Sequence, residues 1–164
     1  MMISAKVMTI TLVALLSLAA CKDQAPSQAG GAAPELGVLD AQGSEVRMDA
    51  RRGQVVLINF WLAECGPCIA EMPALDAFYK ENKARGFDLL AVNMGQDAAT
   101  VEATRRRVEV SFPMLADPLK IATQRYGAIG APTSFIIDAE GVVRERIEGP
   151  LTARDLQRKI GGLL

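Results

Sequence analysis

The sequence predicts an α/β fold in which a mixed central β-sheet is flanked by helices on both faces. The first observation is the run Val55–Trp61, whose β-branched and aromatic residues are typical of a strand buried on both sides. The second is the alternation of strand and helix patterns after this run, which predicts parallel pairing through helical crossovers. The third is a pair of strand patterns joined by the tight turn Ala139–Gly141, which predicts antiparallel pairing near the end of the chain.

The first half of the predicted domain begins with a short β-hairpin. Leu36–Leu39 and Glu45–Met48 flank the turn-like cluster Asp40–Gly43. After the buried strand, Cys68–Arg85 carries apolar residues at helical spacing and is followed by Gly86, which predicts a helix that ends there. The next predicted elements are the strand Phe87–Met94 and the amphipathic helix Ala98–Val110.

The second half consists of shorter elements and ends in a capped helix. Thr152 precedes the last helical pattern and Gly161 follows it, so both ends carry ordinary start and stop residues. The predicted elements are an extended piece at Phe112–Leu115, a helix at Lys120–Tyr126, strands at Ser134–Asp138 and Val142–Ile147, and a helix at Ala153–Ile160.

Composition excludes several classes of function. The 164 residues carry 18 Lys and Arg against 19 Asp and Glu, so the net charge of −1 gives no electrostatic case for a nucleic-acid partner. The sequence contains no His. This absence excludes a Ser-His-Asp triad, a Cys-His protease pair, an imidazole zinc ligand and a haem-ligating His.

The N-terminus has the features of an export signal. Lys6 is followed by Val7–Ala19, which carries no charge and is too short to span a membrane as a helix. Leu18-Ala19-Ala20-Cys21 resembles the lipobox of bacterial lipoproteins, which predicts a signal peptide over residues 1–20 and a lipid on Cys21. The alternative is an ordinary signal peptide cleaved after Ala20, which would leave Cys21 as a free thiol.

Residues 21–33 are predicted to form a lipidated flexible tether, and residues 34–164 to form the folded domain. Lys22–Ala33 is rich in Ala, Gly, Gln, Ser and Pro and has no apolar period. We therefore expect the domain to be attached to the membrane through the lipid on Cys21.

The chemistry is predicted to lie at Cys65-Gly66-Pro67-Cys68, where the buried strand meets a helix. A helix N-terminus stabilises a thiolate, and Pro67 suits the first turn because no N–H is needed there. Cys65 is predicted to be the attacking thiolate, and Cys68 to resolve the mixed disulfide. Half a zinc site and a purely structural disulfide are the alternatives. A zinc site needs four ligands, and the sequence offers no His and only one other Cys, Cys21. A disulfide that closes so short a loop would stabilise the fold only slightly.

These motifs resemble a known family. Asn59 to Cys68, read as NFWLAECGPC, is followed by Glu71-Met72-Pro73 and later by Gly130-Ala131-Pro132-Thr133. Together they resemble the thioredoxin fold, and within it the membrane-tethered TlpA/ResA-like thiol-disulfide oxidoreductases. The resemblance covers about Pro34–Gly162 and implies a thioredoxin-like fold with an N-terminal β-hairpin and an inserted helical segment around Ala98–Val110.

The resemblance also implies a substrate-binding surface around the cysteines. Pro132 is expected to be cis and to face the cysteine pair, and the backbone beside it, at Ala131, is expected to pair with substrate. Gly66 and Pro67 are expected to lie at the same surface. Trp61 is expected either to line the rim of this site or to pack in the core.

Two residues near the cysteines depart from thioredoxin or its relatives, and a third offers a base. Asn59 stands where thioredoxin has a buried Asp. Glu71, three residues after Cys68, shares a helix face with it and is expected to help deprotonate it; the alternative is a solvated helix Glu. Glu64 stands where most relatives have Trp, and it either raises the pKa of Cys65 or points into solvent.

The predicted function is that of an extracytoplasmic thiol-disulfide oxidoreductase in the bacterial cell envelope, a reductant of disulfides in exported proteins. It needs no cofactor beyond the Cys65–Cys68 pair. The resemblance implies a role in cytochrome c maturation, with electrons from a membrane thiol carrier of the DsbD/CcdA type. The alternatives are a thiol oxidant, or a non-enzymatic thioredoxin-like factor for metal handling or assembly.

Overall fold

The structure is a computed structural model that describes residues 27–164, so the predicted signal peptide and Cys21 lie outside the described residues. The described part contains a seven-stranded sheet in the order β2-β1-β5-β4-β3-β6-β7. The strands are β1 (Val38–Leu39), β2 (Glu45–Val46), β3 (Val55–Trp61), β4 (Phe87–Asn93), β5 (Met114–Ala116), β6 (Thr133–Ile137) and β7 (Val143–Glu148). The α-helices are α1 (Gly66–Asn82), α2 (Ala98–Val108), α3 (Ile121–Tyr126) and α4 (Ala153–Ile160).

The sheet is mixed, as the sequence predicts. Strands β3, β4 and β5 are parallel, whereas β6 pairs antiparallel with β3 and β7 pairs antiparallel with β6. The register between β3 and β6 places Asn59 opposite Ser134. Because β3 is the central strand of this half of the sheet, the residues that follow it lie at the carboxyl edge shared with β4 and β5.

Strand β3 contributes alternate side chains to two apolar clusters, one on each face of the sheet. Leu57 and Trp61 point toward the face that is covered by α1, α2 and α4. Ile58 and Phe60 point toward the opposite face, which is covered by α3 and the β1–β2 hairpin. By the period of two along a strand, Asn59 lies between Leu57 and Trp61 on the α1 face.

Helix α1 begins at Gly66, two residues before the predicted start. Cys65 is the residue that caps it, and its sulfur accepts a hydrogen bond from the backbone N–H of Cys68. The helix ends at Asn82, and a short 3₁₀ turn leads to Gly86, whose φ of 88° is the left-handed conformation that ends helices. At its C-terminal end, the α-helix is therefore shorter than the predicted one by this 3₁₀ turn, Lys83–Arg85.

Residues 27–33 correct the prediction of a free tether over residues 21–33. Gly30 donates a backbone hydrogen bond to Val143, and Ala33 donates one to Gly141. Ala32 forms a β-bridge with Val142. An edge strand leaves backbone groups unpaired, and this segment pairs with them at the start of β7. Residues 27–33 therefore belong to the folded domain, and residues 21–26 lie outside the described residues.

Within residues 27–164, no helix combines the length and the apolar character that crossing a membrane requires.

Candidate active site

Cys65 and Cys68 form a disulfide at the junction of β3 and α1. The two sulfurs are 2.09 Å apart and the two Cα atoms 5.2 Å apart. Cys65 is partly exposed, whereas Cys68 has no exposed surface and packs among the apolar residues under α1. This difference in exposure fits the predicted roles of Cys65 as the attacking thiol and Cys68 as the resolving thiol.

The local sequence explains why a helix begins at this point. Pro67 lies in the first turn of α1, where its missing N–H costs nothing. The sulfur of Cys65 lies 3.2 Å from the backbone nitrogen of Cys68, which is one of the free donors of that turn. After reduction, the same donor and the positive end of the helix dipole stabilise a thiolate on Cys65. Gly66 and Pro67 are both exposed beside it.

The loop before β6 lies against the cysteine pair. The Ala131–Pro132 peptide bond is cis, and the carbonyl oxygen of Ala131 is 3.6 Å from the sulfur of Cys65. The carbonyl oxygen of Pro132 accepts a hydrogen bond from the N–H of Gly149 at 2.9 Å, which ties the loop to the segment after β7. Among the described residues, the backbone N–H of Ala131 has no hydrogen-bond partner in the chain.

Glu71 is buried on the inner side of α1, one turn after Cys68. Only 4% of its surface is exposed. Its Oε1 accepts a hydrogen bond from Nδ2 of Asn59 at 2.9 Å, and its Oε2 accepts one from the N–H of Leu151 at 2.7 Å. Burial raises the pKa of Glu71, and the two hydrogen bonds oppose that rise only in part. The alternative of a solvated helix Glu is wrong.

Asn59 connects Glu71 to the sheet. Its Nδ2 donates a second hydrogen bond, to the hydroxyl oxygen of Ser134 at 3.0 Å. Its Oδ1 is buried and has no hydrogen-bond partner. Sequence reasoning missed Ser134, because its place beside Asn59 depends on the antiparallel register of β3 and β6.

Comparisons with known proteins agree with this geometry. The model of the AhpC/TSA family matches residues 29–146. The chain belongs to the AhpC/TSA family. It is 35% identical over 131 residues to the thiol-disulfide oxidoreductase ResA of Geobacillus kaustophilus, covering 80% of this chain and 75% of that one. It is 31% identical over 123 residues to the ResA of Bacillus subtilis, covering 75% and 69% of the two chains.

A solved structure shows the same fold. The crystal structure described as the thiol:disulfide interchange protein DsbE of Chlorobium tepidum matches with a TM-score of 0.77 and 29% identity, covering 84% of this chain and 98% of that one. The predicted thioredoxin-like fold is confirmed, and so is the predicted enzyme class, a thiol-disulfide oxidoreductase. The redox group of such enzymes is the cysteine pair itself.

Trp61 does not line the rim of the site in this family member. It has no exposed surface, and it packs in the same apolar cluster as Cys68. Its indole N–H is also buried without a partner. The expectation that Trp61 lines the rim of the site is therefore wrong, and the alternative role in core packing is correct. Trp61 lies close to the cysteines in sequence, but its position in β3 turns its side chain into the core.

Glu64 lies at the surface and is held by Gln96, which follows β4. Nε2 of Gln96 donates to the Glu64 carboxylate at 2.9 Å, and Oε1 of Gln96 accepts from the N–H of Ala63 at 2.9 Å. The same oxygen accepts from Nδ2 of Asn93 at 2.7 Å. Gln96 therefore braces the loop that leads to Cys65. Sequence reasoning missed it, because a Gln between a strand and a helix resembles any loop residue.

Metal ligands were the remaining alternative for the cysteines. Across residues 27–164, no group of three or more His, Cys, Asp or Glu side chains is placed to hold a metal ion.

Proposed function

We propose that this protein reduces disulfide bonds in exported proteins, using Cys65 as nucleophile and Cys68 as resolving thiol. The observation that carries this proposal is the arrangement of a partly exposed Cys65 bonded to a fully buried Cys68 at the start of α1. An incoming disulfide reaches Cys65 from solvent. Cys68 is reachable only from within the protein, so it attacks Cys65 rather than free substrate.

Substrate binding is assigned to the loop opposite the cysteines. The free N–H of Ala131 is a donor for the backbone of an extended substrate chain, since it makes no backbone bond within the described protein. The carbonyl of Ala131 already lies near the sulfur of Cys65. Pro132, Gly66 and Pro67 complete the proposed surface, on which the substrate disulfide is brought to Cys65.

The reaction proceeds in two exchanges. The thiolate of Cys65 attacks one substrate sulfur, the substrate S–S bond breaks, and the other substrate sulfur leaves as a thiolate. Cys68 then transfers its proton to Glu71 and attacks the sulfur of Cys65. The mixed disulfide breaks, the second substrate sulfur leaves, and the two electrons of the protein dithiol have passed to the substrate. A dithiol donor restores the reduced form.

The direction of electron flow is proposed to be reductive. Gly-Pro between the cysteines is also the pair in thioredoxin, whose potential is about −270 mV. The resemblance to the TlpA/ResA-like branch points to a role in cytochrome c maturation, with a membrane thiol carrier of the DsbD/CcdA type as donor, and the relatives named ResA and DsbE fit that branch. Redox titration against glutathione tests the direction. A potential near that of thioredoxin supports a reductant, and one of about −120 mV would make the protein an oxidant.

The location proposed is the outer side of a bacterial membrane, through a lipid on Cys21. The support is the sequence Leu18-Ala19-Ala20-Cys21 and the extracytoplasmic character of the predicted family branch. The full chain with Cys21→Ser should move from the membrane fraction to the soluble fraction. Retention of this variant in the membrane would contradict lipid anchoring.

An insulin-reduction assay distinguishes an enzyme from a non-enzymatic factor. The reduced protein should reduce insulin disulfides with a dithiol donor present, and Cys65→Ser should abolish this activity. Insulin reduction by the unchanged protein no faster than by the dithiol donor alone would contradict the proposed reaction and favour a metal-handling or assembly role.

A further inference from the structure

Asn59, Glu71 and Ser134 form a buried polar cluster under α1. Asn59 is 1% exposed, Glu71 4% and Ser134 0%. We propose that Asn59 and Ser134 are positioning residues for Glu71: the Asn59 amide donates one hydrogen bond to the carboxylate and is oriented by a second one to Ser134. The inference rests on the proposed function, in which Glu71 takes the proton of Cys68 and later releases it.

The ionised state is matched by the arrangement in the structure. The two N–H bonds of the Asn59 amide are both used, one toward Glu71 and one toward Ser134. The Ser134 hydroxyl accepts in this arrangement. The N–H of Leu151 donates to the other carboxylate oxygen. The carboxylate therefore receives two hydrogen bonds, as a buried anion requires.

Asn59 is the one side chain among the described residues that hydrogen-bonds to Glu71. Strand β3 presents Asn59, strand β6 presents Ser134, and the segment before α4 presents the backbone of Leu151. Cys68 is the titratable neighbour on α1 itself once the disulfide is reduced. Among the described residues, no charged side chain contributes to the pKa of Glu71, for which burial is the leading cause of the upward shift.

An Asp at position 59 would work differently. Two carboxyls at hydrogen-bond distance share one proton at neutral pH, because two buried negative charges repel each other. The amide of Asn59 stays neutral, so only Glu71 and Cys68 exchange the proton. In this proton transfer, the S–H bond of Cys68 breaks and an O–H bond forms on Glu71; no other covalent bond changes.

The test separates the two thiols by their kinetics. The fully reduced protein is mixed with Ellman's reagent, and release of the coloured thiol is followed in stopped flow across pH. The first phase reports attack by Cys65, and the second reports attack by Cys68 on the mixed disulfide. In Asn59→Leu the ionised Glu71 loses a hydrogen bond to a charged group, so the second phase should slow about tenfold at pH 7 and its pH midpoint should rise. The first phase should keep its rate.

Ser134→Ala and Asn82→Ala complete the design. Ser134→Ala removes one partner of the amide, and its second-phase midpoint should rise by less than that of Asn59→Leu. It also serves if Asn59→Leu does not fold. Asn82 is likewise buried, but its amide bonds to Phe78 at the far end of α1. Asn82→Ala should lose stability and keep the second-phase midpoint.

Two outcomes overturn different claims. If the unchanged protein shows a second phase and both Asn59→Leu and Ser134→Ala keep its pH midpoint, Asn59 and Ser134 do not position the proton acceptor. If the unchanged protein shows no second phase and does not reduce insulin, the proposed function itself fails. Infrared spectra of the reduced protein during the same titration report the protonated carboxyl of Glu71 directly, and its titration should move to higher pH in Asn59→Leu.

Discussion

Glu71→Gln should change how the stability of the protein depends on pH. Burial raises the pKa of Glu71 above its ordinary value of 4.5, so above pH 4.5 the folded state holds a proton that the unfolded state has lost. The stability due to neutral Glu71 is therefore fully present below pH 4.5 and is lost as pH rises through the folded pKa. Gln does not titrate, so its variant lacks this loss.

The size of this pH dependence follows from the single proton by which the folded and unfolded states differ. Unfolding free energy of the unchanged protein, relative to Glu71→Gln, should fall by up to about 1.4 kcal/mol for each pH unit inside this window. Below pH 4.5 the difference between the two proteins should be constant. The sign depends only on the direction of the shift, because a carboxyl that prefers its neutral form when folded opposes folding at higher pH.

The assay is urea unfolding of the oxidised protein at a series of pH values from 4 to about 8. The disulfide keeps Cys68 from titrating during the measurement. Glu81, which is exposed on the same helix, supplies the control Glu81→Gln. The acidic residues that the two proteins share contribute equally to both stability curves, so their contributions cancel in the difference. Parallel stability curves for the unchanged protein and Glu71→Gln would refute the argument that burial raises the pKa of Glu71.

Three further changes test other parts of the structure. Cys68→Ser should trap a mixed disulfide between Cys65 and substrate, visible by mass spectrometry under non-reducing conditions, whereas absence of any adduct would show that Cys65 is not the nucleophile. Gln96→Ala removes three side-chain hydrogen bonds and should lower the unfolding free energy by about 1–3 kcal/mol and speed alkylation of reduced Cys65; an unchanged alkylation rate would contradict the bracing role. Thr152→Ala breaks the capping box of α4 and should lower the free energy of unfolding in urea by about 1 kcal/mol. Thr152→Ser keeps a capping hydroxyl and should largely avoid this loss.

The elements with strong local signals were predicted closely. Strand β3 and helix α4 have the predicted bounds, since β3 is an unbroken apolar run and α4 carries Thr152 at its start and Gly161 at its end. Residues 27–33 were missed because an added edge segment is held by backbone hydrogen bonds, which leave no pattern in the side chains.

The candidate site was predictable where its residues are adjacent in sequence. The different exposures of Cys65 and Cys68 follow from the helix that begins between them, and Glu71 lies one turn further along the same face. Ser134 and Gln96 come from distant segments, so their contacts depend on strand register and loop path. Trp61 was expected at the rim of the site because it is close to the cysteines in sequence. The alternation of side chains along β3 instead turns it into the core.

The pairing of residues 27–33 with the edge of the sheet also sets the working range of the enzyme. With a lipid on Cys21, as proposed, the segment that connects the anchor to the domain runs only from Cys21 to Ser27, whose backbone N–H is bonded to the carbonyl of Arg125. Fully extended, it reaches about 20 Å, compared with about 45 Å for a free segment over residues 21–33. A lipid on Cys21 would therefore keep the domain close to the lipid headgroups, and its proposed substrates and electron donor would have to meet it at the membrane surface.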